Sequence, residues 1–373
     1  MEKIKELIYR CLFIIFKVFP IKKNKLVFIN FYGNGYGDNP KYICEELLKK
    51  HSDLDIVWLV NNINSNFPKG IRKVKYKSVS AIYELATAKI WIDNARKRKY
   101  VLKRKKQYYI QTWHGGIGLK KIEKDAEETL SKYYVESAKH DSEMIDVIIS
   151  NSKYRTNLYK NSFWYEGEIL EVGLPRNDIF FNGNYAKEIK DKILKMYGIS
   201  PNRKIILYAP TFRKDFNIFE KIDLKLLEQN MPEHIILIRA HPGTSIGIDC
   251  SNNVIDVTDY PDMQELIIAC DYFISDYSSC IFDAMTSGKA VYLYAPDHDE
   301  YLSERGLNFV YDELPFSIAH SNEELISNLT KDTYKNKEEE LELFIKDLGI
   351  VDDGTASEKI VKRIDMVLYG GKK

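Results

Sequence analysis

At 373 residues the chain exceeds what one hydrophobic core usually serves, so two domains of ordinary size are expected. A hydrophobic share of 45% with 26 tyrosines excludes a disordered protein, and 55 basic against 54 acidic residues exclude a global field that would draw the chain to nucleic acid or another polyanion. Any such attraction has to be local.

The N-terminus reads as an amphipathic helix. Ile4, Leu7, Ile8, Cys11, Leu12, Ile15, Val18 and Phe19 recur at steps of three and four, Phe13, Ile14 and Phe16 widen the apolar side, and Pro20 stops it. Arg10 and Lys17 interrupt the run and no small-residue cleavage site follows, so neither a spanning helix nor a signal peptide is expected. With Lys22, Lys23 and Lys25 behind it, the helix suits an anionic bilayer surface, which would make the protein peripheral on the cytoplasmic face of the membrane; docking on the protein's own core is the competing reading. Cys11, Cys44, Cys250, Cys270 and Cys280 show no paired spacing, which fits a reducing compartment.

From Lys25 the chain alternates short β-rich runs with helical periods, the pattern of parallel sheets with crossover helices. Strands are expected at Leu26–Phe31, Asp55–Val60, Ile90–Asp93, Tyr108–Thr112, Val147–Ser150 and Leu170–Gly173, then at Ile205–Tyr208, Ile235–Arg239, Val254–Val257, Tyr272–Ser275 and Val291–Tyr294. The polar stretch at Asn182–Tyr185 divides them, giving a surface helix over 1–24, a first domain over 25–184 and a second over 185–373. The helix over Lys337–Gly349 is left either to return to the first domain or to pack on a partner.

Open α/β sheets bind ligands beyond the carboxyl ends of their strands, and the unusual residues sit there. His114 is followed by Gly115 and Gly116, an arrangement that suits a general base close to a ligand, or equally a turn histidine bonded to a carbonyl. His241 lies between Arg239 and Pro242, where a phosphate or a buried salt bridge would explain the pair. Ser278 and Ser279 open a helix after Asp276, and Asp283 falls one turn along; free amides and hydroxyls there suit a diphosphate, although plain capping has the same residue pattern. The eight cations between Arg96 and Lys106 read as a surface for anionic lipid or a lipid pyrophosphate, with a solvated loop and nucleic acid as the alternatives. Gly33, Gly35 and Gly37 imitate a dinucleotide fingerprint but Asp38 stands where the last glycine belongs, so the loop is read as facing an acceptor.

Together, Gln111-Thr112-Trp113-His114-Gly115, Leu207-Tyr208-Ala209-Pro210-Thr211-Phe212-Arg213, Arg239-Ala240-His241-Pro242 and Ser275-Asp276-Tyr277-Ser278-Ser279-Cys280-Ile281-Phe282-Asp283 resemble, in order, the CDP-glycerol glycerophosphotransferase family of teichoic-acid primases and polymerases and related capsule enzymes. The likeness runs from about Leu26 to Leu307. It implies a GT-B-like pair of Rossmann-type domains with a cleft between them, the donor held by the second and the acceptor approaching the first. By the same resemblance His114 matches the proposed base and His241 the histidine near the donor phosphates. Ser278 and Ser279 match diphosphate ligands, Arg213 and Arg239 flanking cations, and Asp283 a ribose-side carboxylate. Gly115, Gly116, Thr211, Pro242 and Asp276 complete the expected substrate-binding set.

The implied reaction moves glycerol phosphate or a related alditol phosphate from a CDP-linked donor to a hydroxyl of a lipid-linked or polymeric envelope acceptor, releasing CMP, without metal or other cofactor and without nucleic acid. One departure stands out, because Gly116-Ile117-Gly118 replaces the Thr-Pro that polymerases of the family commonly carry after the His-Gly pair. Glycerol or ribitol, the acceptor, single addition or polymerisation, and oligomeric state therefore stay open. The rivals are a GT-B enzyme using a nucleotide sugar and a membrane-bound basic scaffold in which His114 does no chemistry.

Overall fold

Parallel strands need long crossovers, and covering those crossovers on both faces buries the strands as continuous apolar runs. A computed structural model, which describes residues 2–213, 217–240, 247, 251–304 and 306–370, shows that pattern twice. The first sheet contains β1 (Lys22–Ile29), β2 (Asp55–Val60), β3 (Ile71–Lys75), β4 (Ala88–Asp93), β5 (Tyr108–Gln111), β6 (Val147–Ser150) and β7 (Glu168–Glu171). The second contains β8 (Lys204–Tyr208), β9 (His234–Ile238), β10 (Val254–Asp256), β11 (Tyr272–Ser275), β12 (Ala290–Tyr294) and β13 (Ser317–Ala319).

Their orders are β3-β2-β1-β4-β5-β6-β7 and β10-β9-β8-β11-β12-β13, with every pairing between these strands parallel. Each order reverses at one place, β1/β4 in the first sheet and β8/β11 in the second. At such a switch point the crossovers leave in opposite directions, and a crevice opens beyond the strand ends. The register Ile29↔Asp93 and Asp93↔Gln111 brings the β1, β4 and β5 ends level.

Two units result, one built from 1–114, 122–178 and 351–373, the other from 115–121 and 179–350. The sequence reading carried 185–373 as one domain and began it at 185. The chain instead passes to the second unit at Asp178/Ile179 and returns at Ile350/Val351. The return has a packing cause: Ile360, Val361 and Ile364 of the last helix, Ala356–Tyr369, are fully buried in one cluster with Leu26, Phe28, Ile43, Cys44 and Leu47. Burying three such side chains contributes about 1.5–3 kcal/mol each, ample to draw the helix back. His51, which ends the helix Asp38–Lys50, brings its Nε2 within 2.9 Å of an Asp365 carboxylate oxygen.

The N-terminal helix, Glu2–Phe16, docks one side on the first unit. Phe13 is fully buried in the first unit's core, with Tyr9, Leu12 and Phe16 packed beside it, and the helix lies on the helix Val79–Thr87. Ile4, Leu7, Ile8, Ile14 and Ile15 stay exposed on the other side, Ile4 at 64% and Leu7 at 63%. Among the described residues no helix is long and apolar enough to cross a membrane.

The basic run at 96–106 is a correction. It does not form an open cationic face, because most of its charges are spent inside the unit. Arg96 and Lys97 are buried against Glu123, Asp141 and Asp93, Lys99 pairs with Glu136, and Lys103 with Asp146. Arg104 donates to the Phe19 and Ala86 carbonyls, leaving Lys105 and Lys106 as the exposed members.

Candidate functional site

In the first unit the expected residues gather at the β1/β4 switch point. Asn94, directly after β4, is fully buried, and its side chain ties that point together. Its Oδ1 accepts from the Phe31 N–H at 2.8 Å, and its Nδ2 donates to Asn30 Oδ1 at 2.8 Å. Its main-chain carbonyl lies 2.7 Å from His114 Nδ1. A carbonyl only accepts, so Nδ1 carries the proton and Nε2 keeps the lone pair. Burial lowers the His114 pKa to about 4; the Asn94 bond opposes that shift, and the charges of Arg176 and Arg155 reinforce it. The ring is therefore neutral at physiological pH, with its basic nitrogen defined.

The backbone before His114 is held under strain. The left-handed conformation falls on Trp113, φ 53°, and not on Gly115 or Gly116. An indole-bearing residue there costs roughly 1–2 kcal/mol. Gln111 Oε1 accepts from the Trp113 N–H at 2.9 Å, and Asn39 Nδ2 donates to the Trp113 carbonyl at 3.1 Å. The indole stacks on the His114 ring at 4.5 Å and meets Phe163 edge-on at 4.9 Å, with the Arg96 guanidinium over both Trp113 and Phe163. Arg96, read from sequence as a lipid contact, thus braces the His114 loop.

The loop after β1 comes to the same place. Phe31, Tyr32 and Asp38 all have positive φ, and the Phe31 ring sits 5.1 Å from His114. Gly33 is required there, since at φ 91° a Cβ would fall 2.8 Å from Tyr76 Cβ. Asp38 pairs with Arg176 at 3.2 Å, and Arg176 donates to the His114 carbonyl at 2.5 Å. Outliers of this kind collect at ligand sites, where the surrounding bonds hold them in place. Asn39, Asn94, Arg155 and Arg176 went unmarked in the sequence. A position just past a strand end was the available signal for Asn94; Asn39 and Arg155 lie on crossovers, Arg176 on the connection after β7, and none of the three carries a local signature.

In the second unit the β8/β11 switch point is stapled by Asp276. This carboxylate is fully buried; Oδ1 accepts from the N–H groups of Thr211 at 2.8 Å and Tyr277 at 2.6 Å, and Oδ2 from Arg213 at 2.9 Å. Arg213 also donates to Asp297 at 2.5 and 3.0 Å and to the Thr211 carbonyl at 2.8 Å, and it lies over Tyr277 and Tyr301, two rings stacked 3.8 Å apart. The structure thus brings Arg213 and Asp276 to each other. Arg239 differs: half-buried, it donates to the Tyr260 carbonyl at 2.8 Å and forms no ion pair among the described residues. Burial pulls its pKa down, a strain that an anion would relieve.

Ser279 begins the helix Cys280–Thr286 without a side-chain cap bond, whereas Ser278 Oγ accepts from Cys280 Sγ at 2.9 Å. Both serines are half-buried, which leaves the Ser279 hydroxyl uncommitted to capping. Asp283 is buried and accepts from Gln264 at 3.2 Å. His241 and Pro242 lie outside the described residues. Gly115 and Gly116 belong to the segment 115–121, which is laced to the second unit: Asn308 donates to the Gly118 and Lys120 carbonyls at 2.8 and 3.0 Å, and Lys120 bridges Leu307. His114 is thus the last residue of the first unit before that segment.

Residues 11–366 match the family of CDP-glycerol:poly(glycerophosphate) glycerophosphotransferases. The chain belongs to that family. That family is described by its glycerophosphotransferase activity, and the relatives named below are teichoic acid enzymes. It is 33% identical to a teichoic acid poly(glycerol phosphate) polymerase of Staphylococcus epidermidis, over 91% of this chain but only 50% of that one, so it spans half of that relative's length. It is 31% identical to the teichoic acid glycerol-phosphate transferase of Staphylococcus aureus, over 97% of this chain and 98% of the relative. Among solved structures, the wall teichoic acid polymerase TagF, in a variant soaked with CDPG, superposes at a TM-score of 0.89 with 31% identity, over 97% of this chain and 93% of that one. A UDP-GlcNAc 2-epimerase from Neisseria meningitidis, 13% identical with a TM-score of 0.55, shares the fold alone.

The Arg213 cluster carries an expectation of its own. Asp297→Ala leaves a buried guanidinium with one carboxylate in place of two and should cost about 3–5 kcal/mol. Urea denaturation of the variant against wild type measures it; a loss below about 1 kcal/mol would show the pair to be solvent-screened instead.

Proposed function

We propose that the chain transfers an alditol phosphate, glycerol phosphate in the first instance, from a CDP-linked donor to a hydroxyl of a teichoic-type polymer, with His114 as the general base. The observation that carries this reading is the Nδ1 bond to the Asn94 carbonyl, which leaves Nε2 unprotonated and basic. His114 Nε2 takes the acceptor hydroxyl's proton as the oxygen attacks the β-phosphorus, and the bond from that phosphorus to the bridging oxygen breaks, releasing CMP. Arg239, the hydroxyls of Ser278 and Ser279, and His241 with Pro242 beside it are assigned to the donor phosphates, where positioning and fixed charge dominate. Asp283 is assigned to the ribose side, and Gly115 and Gly116 to the close approach of substrate. Arg213 and Asp276 fix the loop that carries Thr211 and act behind the substrate.

The family's description supports this donor and the relatives' names this polymer, while the departure at Gly116-Ile117-Gly118 leaves glycerol against ribitol to experiment. We assign the exposed apolar face of the N-terminal helix to a membrane surface, since Ile4, Leu7, Ile8 and Ile15 are exposed, as are Lys5, Lys22 and Lys23.

CMP release from CDP-glycerol and CDP-ribitol onto a teichoic acceptor tests the chemistry. Wild type should release CMP from one of them and His114→Ala should lose at least about a hundredfold. Because the neutral ring persists down to about pH 4, kcat/KM at pH 5.5 should stay within about twofold of its value at pH 7.5, whereas a histidine at 6.5 would lose about tenfold. A nucleotide released together with a glycosidic product would overturn the reading. Separately, Leu7→Glu combined with Ile8→Glu should abolish cosedimentation with anionic vesicles while sparing CMP release to a soluble acceptor; retained cosedimentation would remove the helix from membrane contact.

A further inference from the structure

Arg155 sits in the first turn of the helix Lys153–Ser162, which starts beyond the carboxyl end of β6 with Ser152 as its cap. It is 1% exposed, and among the described residues neither Nη1 nor Nη2 has a hydrogen-bond partner. Its one side-chain bond runs from Nε to the Tyr159 hydroxyl, and its guanidinium lies 5.0 Å from the Tyr159 ring centre. No carboxylate pairs with it among the described residues.

Three terms therefore oppose this cation: loss of water, lack of a counter-charge, and a place at the positive end of a helix dipole. Neighbouring Arg96 shows what the unit does with a buried guanidinium it needs only for structure, pairing it with Glu123 and Asp141. An anion would reverse all three terms at Arg155 and take the bidentate bonds its two free nitrogens offer.

The anion's place follows from the packing. Tyr159 meets Phe163 at 4.6 Å between ring centres, Phe163 meets Trp113 at 4.9 Å, and Trp113 stacks on His114 at 4.5 Å, so one run of rings joins Arg155 to the imidazole. Arg155 is also among the charges that His114 feels.

Resting on the reading above, we propose that Arg155 is an acceptor-binding residue of the His114 site and takes the phosphate of the acceptor's terminal alditol phosphate. At 1% exposure it is reached only when the overlying side chains part, so binding includes a local opening. A polymer that ends in a phosphorylated alditol would then be distinguished from a neutral glycan by a charge-assisted contact. Donor binding, assigned to the second unit, would not involve Arg155.

The test uses the full chain with its donor site saturated by CDP. Glycerol phosphate, the probe, should raise the thermal midpoint of wild type but not of Arg155→Met. Without the probe, Arg155→Met should match or exceed the wild-type midpoint, because an unpaired buried charge has gone. In turnover, its KM for a phosphate-bearing acceptor should rise about 10- to 100-fold while the KM for CDP-glycerol holds. An Arg155→Met chain that responds to glycerol phosphate as wild type does, or whose donor KM rises instead, would overturn the proposal. If that variant does not fold, Arg155→Lys decides: probe affinity about tenfold weaker supports the assignment, and unchanged affinity refutes it. The two readings fail separately, since wild type that binds the probe but releases no CMP loses only the reaction, and wild type that releases CMP without a probe-induced shift loses only Arg155.

Discussion

A single hydrogen bond decides what the first unit's crevice can do. The Asn94 carbonyl claims the Nδ1 proton of His114 and leaves Nε2 as a base, and burial keeps the ring from protonating. The bond exists because β1, β4 and β5 end level, Asn94 follows β4 at the switch point, and the β5 loop turns back through a left-handed Trp113. Sheet order brings these strand ends together; the strained loop sets which nitrogen of His114 meets the Asn94 carbonyl. Asn39, Gln111 and Arg96 are what make that strain tolerable.

Buried charge is divided between two uses. Arg96 with Glu123 and Asp141, and Arg213 with Asp276 and Asp297, are cations neutralised by the chain itself, fixing loops beside the two switch points. Arg155 and Arg239 lack ion-pair partners among the described residues. All four have the same residue type, and an ion pair supplied by the chain itself tells the two kinds apart.

That difference marks the limit of what the sequence carried. The continuous apolar runs of the inner strands were legible, as was the placing of His114, Asp276 and Ser279 just past strand ends. β3 and β13 were not: one is an edge strand whose Arg72, Lys73 and Lys75 break the apolar pattern, and the other has three residues. The return of the last helix to the first unit is a long-range packing choice, visible only once Ile360 and Ile364 meet the β1 face. The cations at 96–106 looked like a surface because most of the acids that neutralise them, Glu123, Glu136, Asp141 and Asp146, lie 27 to 45 residues away, Asp93 beside Lys97 being the near one. Arg213, a flanking cation by the resemblance, has a partner just as remote, Asp297 being 84 residues on.

The most direct measurement is the titration of His114 by 15N–1H NMR of imidazole-labelled protein, assigned with the His114→Ala chain. The account requires the Nδ1–H tautomer throughout and no protonation until pH falls towards about 4. A ring that titrates near 6.5, or that carries its proton on Nε2, would contradict the geometry on which the base assignment rests.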